Sequence, residues 1–173
     1  RSVQDRVASL ATIYRNLYQA EHLDSVEADR LISDIINQMV LASIGPRSRL
    51  KVETHLDRVT LLPDQAVPLT LLTTEAFTNA LKYAGKPPGA ERAWVRVQLH
   101  RDRDGCAVLT IENSLGRPIN ELEGTGLGSQ LIEAFAMQLD TESEVTTEGN
   151  VFRLHLRFRP DTRHNLREPE QRR

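Results

Sequence analysis

Glu75, Asn79 and Lys82 stand four and three residues apart. On a helix turning 100° per residue, such positions fall within about 60° of one another, so a carboxylate, a carboxamide and an ammonium share one face. That stripe suits a metal-bound phosphate chain. Asn79 can offer its carbonyl oxygen to Mg²⁺, a hard ion that takes oxygen ligands. Lys82 can meet phosphate charge, and Glu75 can orient or deprotonate an attacking group. A solvated helix face with incidental charges has the same pattern. Tyr83, next along, either closes over a ligand or packs.

A second group is Gly124-Thr125-Gly126-Leu127-Gly128-Ser129. Glycines let a backbone approach phosphate oxygens, and the amides opening the next helix supply donors at its positive end. No Lys-Ser/Thr pair follows, so this is not a Walker loop, and it is not the dinucleotide fingerprint. A purely structural turn would read alike. The third group, Glu112-Asn113-Ser114, closes an apolar strand. A polar residue there can sit beside a pocket floored by a sheet, and a side-chain oxygen can accept from an exocyclic amine such as the adenine 6-amino group. The alternative is a turn residue at a strand end. None of the five histidines has ligand spacing or a Cys/His partner nearby, so no zinc site is expected. Cys106, in an apolar run, reads as a buried, inert thiol.

The elements that must hold these groups follow from periodicity. Val3, Val7, Leu10, Tyr14 and Leu17 form a heptad seam, which suits pairing with another helix or packing on the chain's own core. Ser25 is placed to cap a second helix with an apolar face from Ala28 to Val40, ended by Gly45-Pro46. Leu50 to His55 and Val59 to Leu62 read as strands. A long helix is expected from about Asp64 to Tyr83, with Pro68 in or near its first turn, where a missing amide hydrogen costs little. A loop at Ala84 to Gly89 leads to two hairpins, Trp94 to Glu112 turning at Asp102 to Gly105, and Glu144 to Phe158 turning at Gly149-Asn150. Between the hairpins runs a helix through Leu131 to Leu139. From Pro160 the residues are charged and read as a solvated tail. The expected fold is α+β: a two-layer α/β sandwich with a mixed, mainly antiparallel sheet.

Composition excludes several classes. With 22 Lys and Arg against 24 Asp and Glu, the net charge of −2 offers no case for nucleic acid. No apolar run approaches the ~20 residues that span a bilayer, so no membrane contact is expected. A single cysteine precludes an intrachain disulfide and fits a cytoplasmic location. The chain opens on Arg1 without an initiator methionine, and it is expected to be cut from something longer.

Taken in this order, the three groups resemble the nucleotide site of the GHKL ATPase superfamily, whose fold is the Bergerat sandwich. Thr74-Glu75-Ala76-Phe77-Thr78-Asn79-Ala80-Leu81-Lys82-Tyr83-Ala84 is similar to the N box of sensor histidine kinases, and Gly124 to Ile132 resembles their second glycine box. Arg6 to Tyr18, then Leu23 to Val26, look like a second dimerisation helix and its junction in the subgroup related to HWE-type kinases. Ala66-Val67-Pro68-Leu69 also fits that subgroup.

The resemblance implies part of a dimerisation module at 1–22, an ATP-binding catalytic domain at 23–160 and a disordered tail at 161–173. It implies ATP and Mg²⁺ as cofactors and transfer of the γ-phosphoryl group to a histidine upstream of Arg1, so the fragment alone should not autophosphorylate. Glu75 and Lys82 would be catalytic and Asn79 the metal ligand. Lys82, Tyr83, Asn113, Gly116, Gly124, Thr125, Gly126, Leu127 and Gly128 would join Asn79 in holding the nucleotide. A response regulator receiver domain and a homodimer through the first helix are the implied partners. The first glycine box, usually Asp-x-Gly-x-Gly, is here Asn113-Ser114-Leu115-Gly116-Arg117, which loses a negative charge and a flexible glycine. Only Arg117 to Glu123 separates the two boxes. A nucleotide-free scaffold or phosphotransfer protein, and a serine kinase of the anti-sigma-factor type, are the alternatives.

Overall fold

The computed structural model describes residues 25–45, 48–117 and 127–161. The heptad seam of the first helix, Gly124, Thr125, Gly126 and most of the tail lie outside the described residues.

Extended residues Val26–Glu27 (β1) pair antiparallel with Thr60–Leu61 (β3). This pairing displaces the expected cap. Helix α1 runs Ala28–Ser43 with Glu27 at its N-cap and no side-chain cap bond, so Ser25 does not serve there. The Ala28 amide is instead satisfied by the Val59 carbonyl at 2.8 Å, a tertiary replacement for a local cap. Helix α2 spans Pro63–Tyr83 with proline at its first position, where the lost donor is already an orphan. Pro68 consequently falls in the second turn rather than the first. It forgoes the bond that its amide would make to the Asp64 carbonyl.

Strands β2 (Lys51–Leu56), β4 (Trp94–Arg101), β5 (Ala107–Ser114), β6 (Ser143–Glu148) and β7 (Val151–Phe158) form one sheet in the order β2-β4-β5-β7-β6. Only β2 and β4 are parallel, joined through β3 and α2; the other three pairings are antiparallel. The sheet is therefore mixed and mainly antiparallel, as expected. Asp102 organises the first hairpin, its carboxylate accepting the Asp104 and Cys106 amides at 2.9 Å each, and Gly105 supplies the positive φ of 81°.

Alternation along the strands sends Val95, Val97 and Leu99, Leu109 and Ile111, and Leu154 and Leu156 to one face. There they meet Leu69, Leu72, Ala76 and Phe77 of α2, and Ile132 and Ala136 of α3 (Leu127–Gln138), in one core that also takes Ile32 and Ile36 of α1. Phe77 is fully buried, which contributes about 1.5–3 kcal/mol of transfer free energy. The result is two layers, helices on one sheet face.

The other face carries charge. Glu53, Arg96, Glu112 and Arg153 occupy one register line across four strands. They are linked in turn at 3.1 Å, 3.4 Å and 2.6 Å, with Lys51 closing the row on Glu53. Cys106 is buried, as its apolar run suggested. Pro160, read as the start of a solvated tail, is buried instead. Gln65 donates to the Arg159 carbonyl at 2.9 Å and accepts the Asp161 amide at 2.7 Å, holding the chain to the start of α2.

Candidate functional site

The long helix sends Asn79 and Lys82 to two different environments, while Glu75 is buried and lines neither. Asn79, half-buried, lines a cavity of about 80 Å³ between α2, α3 and the sheet. Asn113 of β5 and Ser129 of α3 reach the same cavity, whose apolar surface includes Ala80, Ile132, Val145 and Phe152. One residue from each of three sequence-distant groups thus converges on one space. Gly128 lies in the opening turn of α3, directly before Ser129.

Asn113 is only 1% exposed. It is inside β5, not at a turn, which removes the alternative reading of it as a loop residue. Its carboxamide Nδ2 donates to the Ser114 carbonyl at 3.1 Å. That bond engages one of the two amide hydrogens, and the carboxamide oxygen remains an available acceptor. Strand alternation separates the neighbours of Asn113 from it. Glu112 points to the opposite face, between Arg96 and Arg153, so of Glu112 and Asn113 only Asn113 lies beside the cavity.

Glu75 is 7% exposed, and burial of a carboxylate in a helix interior is unlike the solvated face that incidental charges would occupy. Lys82 is exposed and leaves the small cavity for a second, larger cleft on the other side of α2. Its Nζ stands 5.2 Å from the centroid of the Tyr83 ring, and Tyr83 is 48% exposed. The ring therefore neither packs in the core nor lines the small cavity; it backs the ammonium.

Gly116 lies against the end of α2 rather than in the cavity lining. A Cβ on Gly85 would fall 2.5 Å from the Gly116 nitrogen, and one on Gly116 would fall 3.4 Å from the Lys86 carbonyl. Two backbones meet there without room for a side chain on Gly85. Leu115, where the usual box has glycine, is buried, and it exchanges bonds with Asn150, its amide reaching the Asn150 carbonyl at 2.8 Å and its carbonyl accepting from Nδ2 at 3.0 Å. The substitution thus gives a core contact.

Sequence reasoning missed Phe152, Val145, Ser143 and Glu133, which also border the cavity. Phe152 is the register partner of Asn113, a relation with no local signal because β5 and β7 are separated by a helix and a strand. At about 80 Å³ the cavity is smaller than the roughly 300–1,000 Å³ that holds a drug-sized ligand. Val145, 44% exposed on β6, marks the side where packing is thinnest.

Among the described residues no helix is long and apolar enough to cross a membrane, and no three of His, Cys, Asp and Glu cluster as metal ligands. His55, His100 and His155 all stand on strand positions of the charged sheet face, away from Asn79.

Comparison with known proteins gives a consistent picture. Residues 1–43 match the family model HisKA_2, described as histidine kinase. No curated protein matches the chain. Among solved structures, the histidine kinase domain of the Erythrobacter litoralis EL346 blue-light activated histidine kinase is similar at TM-score 0.66 and 22% identity, covering 77% of this chain and 65% of that one. Another structure of the blue-light activated kinase is similar at TM-score 0.74 and 22% identity, over 93% of this chain and 49% of that one. The Acinetobacter baumannii histidine kinase AdeS is similar at TM-score 0.61 and 16% identity, covering 90% and 77%. The chain therefore spans about two thirds or less of the first two structures. At these identities the likeness establishes the fold, that of histidine kinase catalytic domains.

Proposed function

We propose that this chain, which begins with a histidine kinase family segment and carries the histidine kinase catalytic fold, is the Mg-ATP-binding kinase domain of a two-component sensor. The observation that carries the reading is the convergence of Asn79, Asn113 and Ser129 on one cavity from a helix, a strand and a second helix.

The donor set fits the ligand. Asn113 offers an acceptor for the exocyclic amine of adenine, and Ala80, Ile132 and Phe152 offer apolar surface to the base. Asn79 would be the protein ligand of Mg²⁺, an ion that keeps several waters and takes substrate phosphates rather than an all-protein cage. Lys82 would turn to the phosphates from its place over Tyr83, joined by backbone amides of the Gly124 to Gly128 group, whose Leu127 and Gly128 open α3. Glu75 would orient the acceptor imidazole or take its proton. In the transfer, the bond from the γ-phosphorus to its bridging oxygen breaks, a bond to the imidazole nitrogen forms, and ADP leaves. Positioning and charge neutralisation supply most of the catalysis.

A histidine of the dimerisation module would accept the phosphoryl group, and the receiver domain of a response regulator would take it next. Dimerisation would run through residues 1–22, within the segment that matches the histidine kinase family model, and the domain would work in the cytoplasm. The small cavity and the altered first glycine box favour a second reading, a nucleotide-free scaffold that kept the fold. One titration separates the two. Calorimetry with ATP is expected to give micromolar binding that requires Mg²⁺ and is lost in Asn79→Ala. Absence of heat with millimolar ATP and ADP would establish the scaffold.

A further inference from the structure

On the side of α2 away from Asn113 lies a half-open cleft of about 780 Å³, between the end of α1, the start of β2, the end of α2 and the loop before β4. Among the described residues its rim carries Arg49, Lys82, Lys86 and Arg92, with Glu91 the single carboxylate. Four cations set against one anion leave a surplus of three positive charges in a chain whose net charge is −2. Leu50 and Leu81 supply apolar wall.

Among the described residues these cations are not neutralised. Arg96, Arg153 and Arg157 each meet a carboxylate. Arg49, Lys86 and Arg92 enter no ion pair among the described residues. Converging like charges repel one another unless a counter-anion sits between them, and two guanidinium forks suit phosphate oxygens in bidentate geometry. The volume lies in the range of small-molecule sites, about 300–1,000 Å³, and the concavity suits such a ligand better than the flat surface of a protein.

We propose that this cleft binds a phosphate-bearing small molecule with an apolar body, at a site separate from the Asn79–Asn113 cavity. The inference rests on the cleft and its charges, not on the nucleotide reading. Lys82 is the one residue common to both, so it is left intact in the test.

The test is a titration of the isotope-labelled chain with inorganic pyrophosphate in EDTA, followed by amide chemical shifts. Saturable shifts at Leu50 and Leu81 are expected. The double variant Arg49→Ala/Arg92→Ala should weaken them by about tenfold or more, and the single charge reversal Arg92→Glu should act in the same direction without removing both side chains. Asn79→Ala should bind pyrophosphate as the wild type does. Shifts confined to Asn113 and Ser129, no saturable shift at millimolar pyrophosphate, or undiminished binding by the double variant would each overturn the proposal. A chain that binds pyrophosphate at Leu50 and Leu81 but shows no heat with ATP would sink the kinase reading and leave this one standing.

Discussion

Ser114 and Gly85 exchange two hydrogen bonds: the Gly85 amide donates to the Ser114 carbonyl at 2.9 Å, and the Ser114 hydroxyl donates to the Gly85 carbonyl at 2.8 Å. The same hydroxyl accepts the Trp94 amide at 2.8 Å. This pair fixes the last turn of α2, which carries Lys82 and Tyr83, to the strand that carries Asn113. Ser114→Ala leaves the Trp94 amide and the Gly85 carbonyl without that partner. The expected loss is about 1–3 kcal/mol of unfolding free energy, measured by urea denaturation. Gly85→Ala forces its Cβ onto the Gly116 backbone and should cost a similar amount, about 1–3 kcal/mol by overpacking. Gly116→Ala, with 3.4 Å to its nearest neighbour, should be milder. Equal effects for the two glycines would contradict the asymmetry of their contact.

On the proposed reading, Asn113 decides which base is read. An acceptor directed at an exocyclic amine favours adenine over guanine, which presents a carbonyl oxygen at the corresponding position. Calorimetry should show ATP binding preferred over GTP in the wild type. Asn113→Ala should weaken ATP by about tenfold and reduce the preference. Unchanged selectivity in the variant would remove Asn113 from base recognition.

Glu112 makes a contrasting case one residue away. Its carboxylate, largely buried, is shared by Arg153 at 2.6 Å and Arg96 at 3.4 Å on the charged face. Both arginines keep access to water, which discounts the ion pairs, so Glu112→Ala should lower stability by only about 1–2 kcal/mol. Nucleotide affinity should be unchanged, because the side chain lies across the sheet from the cavity. Lost ATP binding at unchanged stability would mean that the two faces are wrongly assigned.

The Asp102–Arg157 pair should make stability depend on pH. The Arg157 guanidinium, 2.6 Å away, holds the Asp102 carboxyl below its usual range; desolvation opposes this, and the Cys106 and Asp104 amides reinforce it. A depressed folded-state pKa contributes stability that is fully present above the ordinary carboxylate pKa and is lost as pH falls through the lowered value. Asp102→Asn keeps an acceptor for the two amides and removes the charge. The melting temperatures of wild type and variant should differ by a constant amount above about pH 5 and converge in stronger acid. A gap that widens on acidification would have the wrong sign.

Much of this architecture was legible before any coordinates. The 20-odd residues leading to Tyr83 announce a helix because apolar side chains recur at its period, and the hairpins announce themselves through alternation and through Asp102, Gly105 and Gly149. Such signals are local. Val151–Phe158 matched the expected strand end to end, and α2 began one residue before the expected start. Failures fell where a remote partner overruled a local preference. Ser25 lost the cap to the pairing of Val26–Glu27 with Thr60–Leu61, and Pro160 was buried by the clasp from Gln65.

The amino-acid order by itself determined the elements, the two-layer arrangement and the presence of a carboxylate, a carboxamide and an ammonium along one side of α2. Only the tertiary structure decided how that side is divided. Asn79 and Lys82 differ by about 60° around the helix, and the packing of α2 beside α3 on the sheet gives Asn79 to a small cavity and Lys82 to an open basic cleft. Likewise, alternation assigns Glu112 and Asn113 to opposite faces, but their partners, Arg153 and Phe152, were chosen by the register of strands nearly forty residues apart. Periodicity is written in neighbouring residues, whereas register and helix packing are set by which distant surfaces bury together.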